Sequence, residues 1–342
     1  YISYPVFSNE GKNLEPSMFI AEISDKHPEI VSQSVSFTAE EIFDFQALQF
    51  LEQTPQIEPA EEEFISALLE KFSMNVTALN NYLKCPLQFY YQNLIRIPSG
   101  KNEATEFGSA VHYALEKLFR NMQDAGKEVF PPKEEMLANF SWYLKKHREN
   151  FTKEAFDRRM EYGNEVLTNY YNKYINTWNK VVAVERNIRA VVVNGIPLKG
   201  KLDKLEFNGN RVNVVDYKTG DIDKAKNKLK APNDKDPNGG DYWRQAIFYK
   251  LLIDNYKVKD WRVESTEFDF IEPDKNKVYH KQKIAITPQD VETVEQQVTE
   301  TWKKIQNREF YTGCGKPECY WCNFVKENKL QKARYEHEEQ EE

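Results

Sequence analysis

The sequence predicts an α/β fold: one sheet with helices packed against it. Three observations carry that expectation: a helical apolar period near residues 107–122, a change to a period of two over 182–218, and a return to helix at 242–256 with strands after it. Val111, Leu115, Leu118 and Met122 form one apolar stripe at helical spacing, with His112 and Glu116 at i and i+4 on its border. A histidine so placed is ordinarily a satisfied structural residue, and Glu116 a solvated neighbour. Residues 131–180 read as two or three helices rich in Lys, Glu and aromatics, among them Trp142, Tyr143, Tyr170, Tyr171 and Tyr174. They suit a helical insertion packed on the core better than a stacking wall for a single strand.

Val182 to Val193, Ile196 to Phe207 and Arg211 to Lys218 then form a meander, with turns at Asn194-Gly195 and Asn208-Gly209-Asn210. The segment Asp221 to Asp241 is polar, with two prolines and Gly239-Gly240, and is expected to be a mobile loop. Tyr242 to Tyr256 is a helix, strands near Val263–Ile271 and Val278–Ile286 extend the sheet, and Pro288 to Arg308 forms a long helix.

The chemistry concentrates in Val214-Val215-Asp216-Tyr217-Lys218-Thr219-Gly220. Side chains at i and i+2 of a strand share a face, so Asp216 and Lys218 project together, about 7 Å apart along the backbone. Alone, the two read as a surface ion pair. A short turn before this strand, however, places Asp203 opposite Asp216 or within about two positions of it. Two acids held at one end of a hairpin repel each other unless a cation lies between them.

Asp203 in Gly-Lys-Leu-Asp-Lys, Asp216-Tyr217-Lys218, and Gln245-Ala246-Ile247-Phe248-Tyr249 together resemble the signatures of the PD-(D/E)xK nuclease superfamily. The likeness is strongest to the RecB/AddB type, found in helicase-like recombination and repair subunits. It spans residues 75–324 and includes an upstream histidine, His112 in Phe107-Gly108-Ser109-Ala110-Val111-His112. The resemblance implies a restriction-endonuclease-like core, a mixed central sheet flanked by helices. It also implies a Mg2+- or Mn2+-dependent deoxyribonuclease that acts as an exonuclease on single-stranded DNA ends fed by a helicase. The metal would be held by His112, Asp203, Asp216 and the Tyr217 carbonyl; Lys218, Gln245 and Tyr249 would complete the catalytic set, with Glu185 in support. Lys224, Lys226, Lys228 and Lys230 are candidate DNA contacts. A catalytically silent DNA-binding or scaffold subunit is the competing reading, and a nuclease working without a helicase is a third.

Charge is segregated along the chain. The formal net charge is −7, but residues 39–70 carry nine acids and no Lys or Arg, and residues 336–342 carry five Glu. The remainder is basic, as a phosphate-binding surface requires. No apolar run approaches a membrane span and no signal peptide opens the chain, so a cytoplasmic protein without a membrane partner is expected. Residues 1–72 are expected to be the remnant of an upstream helicase-like region plus an acidic linker. Tyr1-Ile2-Ser3-Tyr4-Pro5 and Leu14-Glu15-Pro16-Ser17 resemble the strand and Pro-Ser turn that close such a region, and Glu40 to Glu63 reads as one or two helices and a linker. The chain begins at Tyr1 and is read as a fragment of a longer intracellular polypeptide. The nuclease domain is expected at 73–330, and 331–342 as a disordered acidic tail.

The four cysteines divide one plus three: Cys85, after a capped helix from Asn75 that Pro86 stops, then Cys314-x4-Cys319-x2-Cys322. Four thiolates bind either zinc or an iron–sulfur cluster, and a disulfide is disfavoured without a secretion signal. AddB-type and similar CRISPR-associated nucleases carry a one-plus-three clasp around a four-iron (4Fe-4S) cluster, with x2 before x5; here x4 precedes x2. Both a 4Fe-4S cluster and Zn2+ therefore stand open, with a structural role either way.

Overall fold

Two tight turns set the register of the sheet. Asn194 and Gly195 both have positive φ, 50° and 78°, which a two-residue hairpin loop of the favoured twist requires. They join β1 (Val182–Val193) to β2 (Ile196–Asn208), with Val193 paired to Ile196. Gly209-Asn210 makes the second turn, since Asn208 pairs with Arg211 at the start of β3 (Arg211–Lys218). β4 (Arg262–Phe270) lies parallel to β3, and β5 (His280–Ile284) antiparallel to β4, giving the order β1-β2-β3-β4-β5. A parallel neighbour needs a crossover, and the helix between β3 and β4 supplies it. The sheet is mixed and flanked by helices, as expected.

The computed structural model describes residues 4–6, 12–14, 17–31, 33–38, 41, 54–98, 100, 102–126, 128–220 and 222–332. The chain divides into two units, 1–53 and 54–342. In the first, α1 (Met18–Lys26) follows an extended Ser17. Of the expected strand and Pro-Ser turn, Tyr1 to Ser3 and Glu15-Pro16 lie outside the described residues. So do 42–53 of the expected acidic helices, and 333–342 of the acidic tail.

The second unit holds α2 (Glu62–Glu70), α3 (Val76–Lys84), α4 (Glu103–Asp124), α5 (Lys133–Lys146), α6 (Lys153–Tyr174), α7 (Asp241–Asp254), α8 (Pro288–Gln306) and α9 (Tyr320–Glu327). The boundary expected at residue 72 falls inside this unit, because Ile57, Ile65, Leu69 and Phe72 are buried in its core. Among the described residues no helix is long and apolar enough to cross a membrane.

Two apolar layers enclose the sheet. One joins Leu198, Leu202, Val212 and Val214 to α7 through Ile247 and Leu252. The other joins Val215 and Tyr217 to the predicted α4 stripe, where Val111, Leu115, Leu118 and Met122 are all buried, and to Phe140, Leu144 and Tyr170 of α5 and α6. The helical insertion is therefore core packing, as read from sequence.

Residues 222–241 depart from the mobile polar loop expected at 221–241. Ile222 and Ala225 are buried against Ala246, Phe268 and Phe270. Arg244, itself buried, donates to the carbonyls of Asn238 and Gly239, both at 2.7 Å. Gly240 lies so close to Lys228 that a Cβ would stand 2.3 Å from its carbonyl oxygen. Lysine-rich composition hid two buried apolar residues and a guanidinium anchor.

Lys204 on β2 has no exposed side-chain surface and lies 2.9 Å from Glu206, with its ammonium 4.7 Å from the Phe119 ring centre. Burial pushes Glu206 up, but Lys204 and the Asn213 amide outweigh it and hold its carboxyl below the usual range. A depressed folded-state pKa contributes stability above the unfolded value that is lost as pH falls through the folded one. Glu206→Gln should therefore flatten the acid limb of stability against pH. Glu206→Ala should cost about 3 kcal/mol in urea unfolding at neutral pH, because it leaves a buried ammonium unpaired.

Candidate active site

His112 on α4, Glu185 on β1 and Asp203 on β2 bring one ligand atom each to within 4.8 Å of one another. The sheet register produces this convergence. Val184 pairs with Lys204 and Arg186 with Leu202, so Glu185 faces Asp203. Lys204 pairs with Val215, and one step further along the ladder Asp203 faces Asp216. Asp203 Oδ2 also accepts from the Tyr217 backbone N–H at 2.9 Å. His112 closes the group from the helix side: Nε2 lies 3.0 Å from the Tyr217 carbonyl and Nδ1 3.4 Å from Asp203 Oδ1. Two non-glycine residues of β1 sit in the left-handed region, Glu185 (φ 50°) within this group and Ala190 (φ 57°) further along the strand. Ala190 falls in the bulge between Ile188 and Val191. Such strain persists where surrounding structure over-determines it.

The second half of the site surrounds Asp216. Lys218 Nζ lies 2.8 Å from Asp216 Oδ2, confirming a shared face. From α7, Gln245 Nε2 and the Tyr249 hydroxyl donate to Asp216 Oδ1 at 2.9 and 2.8 Å. Lys218 in turn donates to Gln245 Oε1 at 2.9 Å. Lys218, Gln245 and Tyr249 therefore meet around the Asp216 carboxylate, while Asp203 sits with His112. Glu185, expected in support of the site or its metal, lies with His112 and Asp203, and Asp216 pairs with Lys218.

The electrostatics follow from burial and pairing. Burial lowers the affinity of His112 for a proton, but Asp203 outweighs it and raises the imidazole to about 9. Burial pushes Asp203 up, yet His112 holds it below the usual carboxylate range. Asp216 and Glu185 are both raised, chiefly by burial, against the opposing pull of Lys218 and Lys201 respectively. Burial alone would lower Lys218, but Asp216 keeps it charged and raises it. The acids are thus balanced one by one: His112 against Asp203, Lys218 against Asp216, and Lys201, paired to Glu185, against the third.

Two clefts meet at this group. One, of about 480 Å³, is lined by His112, Glu116, Glu185, Asp203 and Thr219. The other, of about 580 Å³, is lined by Asn75, Thr77, Arg189, Lys199, Gln245 and Tyr249, and Lys201 borders both. Arg189, Lys199 and Lys201 were not singled out from the sequence. The signal was present, since Lys199, Lys201 and Asp203 alternate on β2 and must share a face. Of the four loop lysines, all are exposed. Lys226 pairs with Asp223. Lys228 lies 5.2 Å from the centre of the Tyr242 ring, whose face also receives Lys218 at 4.2 Å. Away from this site, the sulfurs of Cys85, Cys314, Cys319 and Cys322 lie within 4.8 Å of one another.

The family model of the PD-(D/E)XK nuclease superfamily matches residues 73–326, and the chain belongs to that superfamily. Its members typically use divalent metals. No curated protein matches the chain. Among solved structures, it is similar to one described as "Putative exonuclease" from Eubacterium rectale, with 14% identity, 82% of this chain and 97% of that chain covered, and a TM-score of 0.47. A second, SSO0001, has 16% identity, 71% and 86% coverage, and a TM-score of 0.23.

Tyr249→Phe removes one of the two α7 donors to a buried carboxylate. It should cost about 1–3 kcal/mol in denaturant unfolding, whereas substitution of exposed Lys224 should fall within about 0.5 kcal/mol.

Proposed function

We propose that the chain is a metal-dependent deoxyribonuclease that hydrolyses phosphodiesters, degrading single-stranded DNA from ends that a helicase delivers during double-strand-break repair in the cytoplasm. The observation that carries this reading is the convergence of His112, Glu185 and Asp203 beside an Asp216–Lys218 pair on the next strand. Carboxylate oxygens with one imidazole suit a hard divalent cation such as Mg2+ or Mn2+. The like-charged acids also sit close enough to favour one. Asp203, Glu185, His112 and the Tyr217 carbonyl would hold it, with Asp216 facing them. When bound, such an ion lowers the pKa of a water and neutralises phosphate charge.

The remaining work belongs to the chain. Lys218, held charged by Asp216, is placed to orient the attacking water or to stabilise negative charge developing on the phosphate. Gln245 and Tyr249 fix the Asp216 carboxylate by hydrogen bonds and leave it little rotational freedom. Arg189, Lys199 and Lys201 along one cleft would supply positive charge to follow a phosphate backbone, and the exposed Lys224, Lys226, Lys228 and Lys230 would add to it. Support for the helicase link is the order and identity of the motifs, which resemble the RecB/AddB type.

The test is degradation of end-labelled single- and double-stranded DNA, and of RNA, with Mg2+ or Mn2+, Asp216→Ala and Lys218→Ala run beside the wild type. Wild-type cleavage should vanish in EDTA, and both variants should fall by at least about a hundredfold while retaining their folded spectra. Unchanged cleavage by folded Asp216→Ala would sink the assignment. Product lengths would show whether cutting starts at an end.

Glu185→Gln gives an independent check on the metal set. Mn2+ titration by calorimetry should show affinity reduced by at least about tenfold; undiminished binding would remove Glu185 from the set.

A further inference from the structure

We infer that Cys85, Cys314, Cys319 and Cys322 hold a single tetrahedral zinc ion, in place of the four-iron cluster that the family resemblance implies. The spacing of the sulfurs decides between the two. Cys322 Sγ lies 3.8 Å from Cys85 Sγ and 3.8 Å from Cys314 Sγ, and all four sulfurs lie within 4.8 Å of one another. Four thiolates about 2.3 Å from one zinc at tetrahedral angles stand about 3.8 Å apart. In a cubane cluster each thiolate binds a different corner iron, which spreads the sulfurs to roughly 6 Å. Sulfurs 3.8 Å apart are close to van der Waals contact and leave no room between them for four irons and four sulfides.

The surroundings oppose expansion. A Cβ on Gly313 would stand 2.6 Å from Cys322 Sγ and 3.0 Å from Leu87, so backbone already fills that side. Cys85 and Cys322 are buried, and Tyr91 stacks on Trp321 with ring centres 5.0 Å apart. The sulfurs are not disulfide-bonded, since 3.8 Å is far beyond a bond of about 2 Å. Four protein ligands leave no open position, so the role is structural. The ion would staple the end of α3 to the C-terminal segment. That segment also bridges to residues 56 and 57 through Thr312 and Gln331.

The experiment is metal and labile-sulfide analysis of the full chain, purified without oxygen from cells supplied with both iron and zinc. The expected result is one zinc per chain, no labile sulfide and a colourless protein, with Co2+ exchange giving the absorption of a tetrahedral thiolate site. A brown protein with about four irons and matching sulfide would overturn the inference, as would a chain that retains neither metal. Cys319→Ser should lower bound zinc at least about tenfold; should it fail to fold, the wild-type metal count still decides. Asp216→Ala should keep its zinc, which separates this site from the nuclease reading.

Discussion

The structure depends on mutual repulsion among three carboxylates and on the cations that offset it. Glu185, Asp203 and Asp216 come from three adjacent strands, and the hydrogen-bond ladder gives them little freedom to separate. Each is answered by a base from a different place: Lys201 on β2, His112 on α4 and Lys218 on β3. A helix must therefore pack where it brings His112 to the Tyr217 carbonyl, and another where it brings Gln245 and Tyr249 to Asp216. The two apolar layers do that positioning. The stripe on α4 is buried beside Val215 and Tyr217, and α7 is buried beside Val212 and Val214.

Alternation along β3 divides the labour. Val215 and Tyr217 point to one layer while Asp216 and Lys218 take the α7 side, so a single strand serves both the core and the site. The Tyr217 backbone carbonyl and N–H remain available at the strand end, one beside His112 and the other bonded to Asp203. Left-handed backbone occurs on β1, beyond β2, at Glu185 and Ala190. There it turns a carboxylate toward Asp203 and shapes the cleft lined by Ala190, Arg189 and Lys199.

Much of this was legible in the residues because it is local. Asn194-Gly195 and Gly209-Asn210 specify turns by their tolerance of positive φ, and the turns fix which acids face each other. Period two then determines that Asp216 and Lys218 share a face. The burial of Ile222 and Ala225 was not legible, because two apolar residues among lysines give no periodic signal; their partners, Phe268 and Phe270, come from a distant strand. Arg244 was not singled out from the sequence, yet it is buried, bound to the carbonyls of Asn238 and Gly239 just before its helix and to Gln297 on α8.

The sequence by itself determined the strands, the turns and the face of α4 that is buried, and put Asp216 and Lys218 on one face near Asp203, since each follows from spacing over a few residues; His112, Glu185, Gln245 and Tyr249 entered through the family resemblance. Only the tertiary structure decided how these residues group. It placed Glu185 with His112 and Asp203, and Asp216 with Lys218, Gln245 and Tyr249. It also drew four sulfurs from positions 85 to 322 to within 4.8 Å of one another. Distances between side chains remote in sequence depend on packing between elements, and spacing along the chain carries no measure of them.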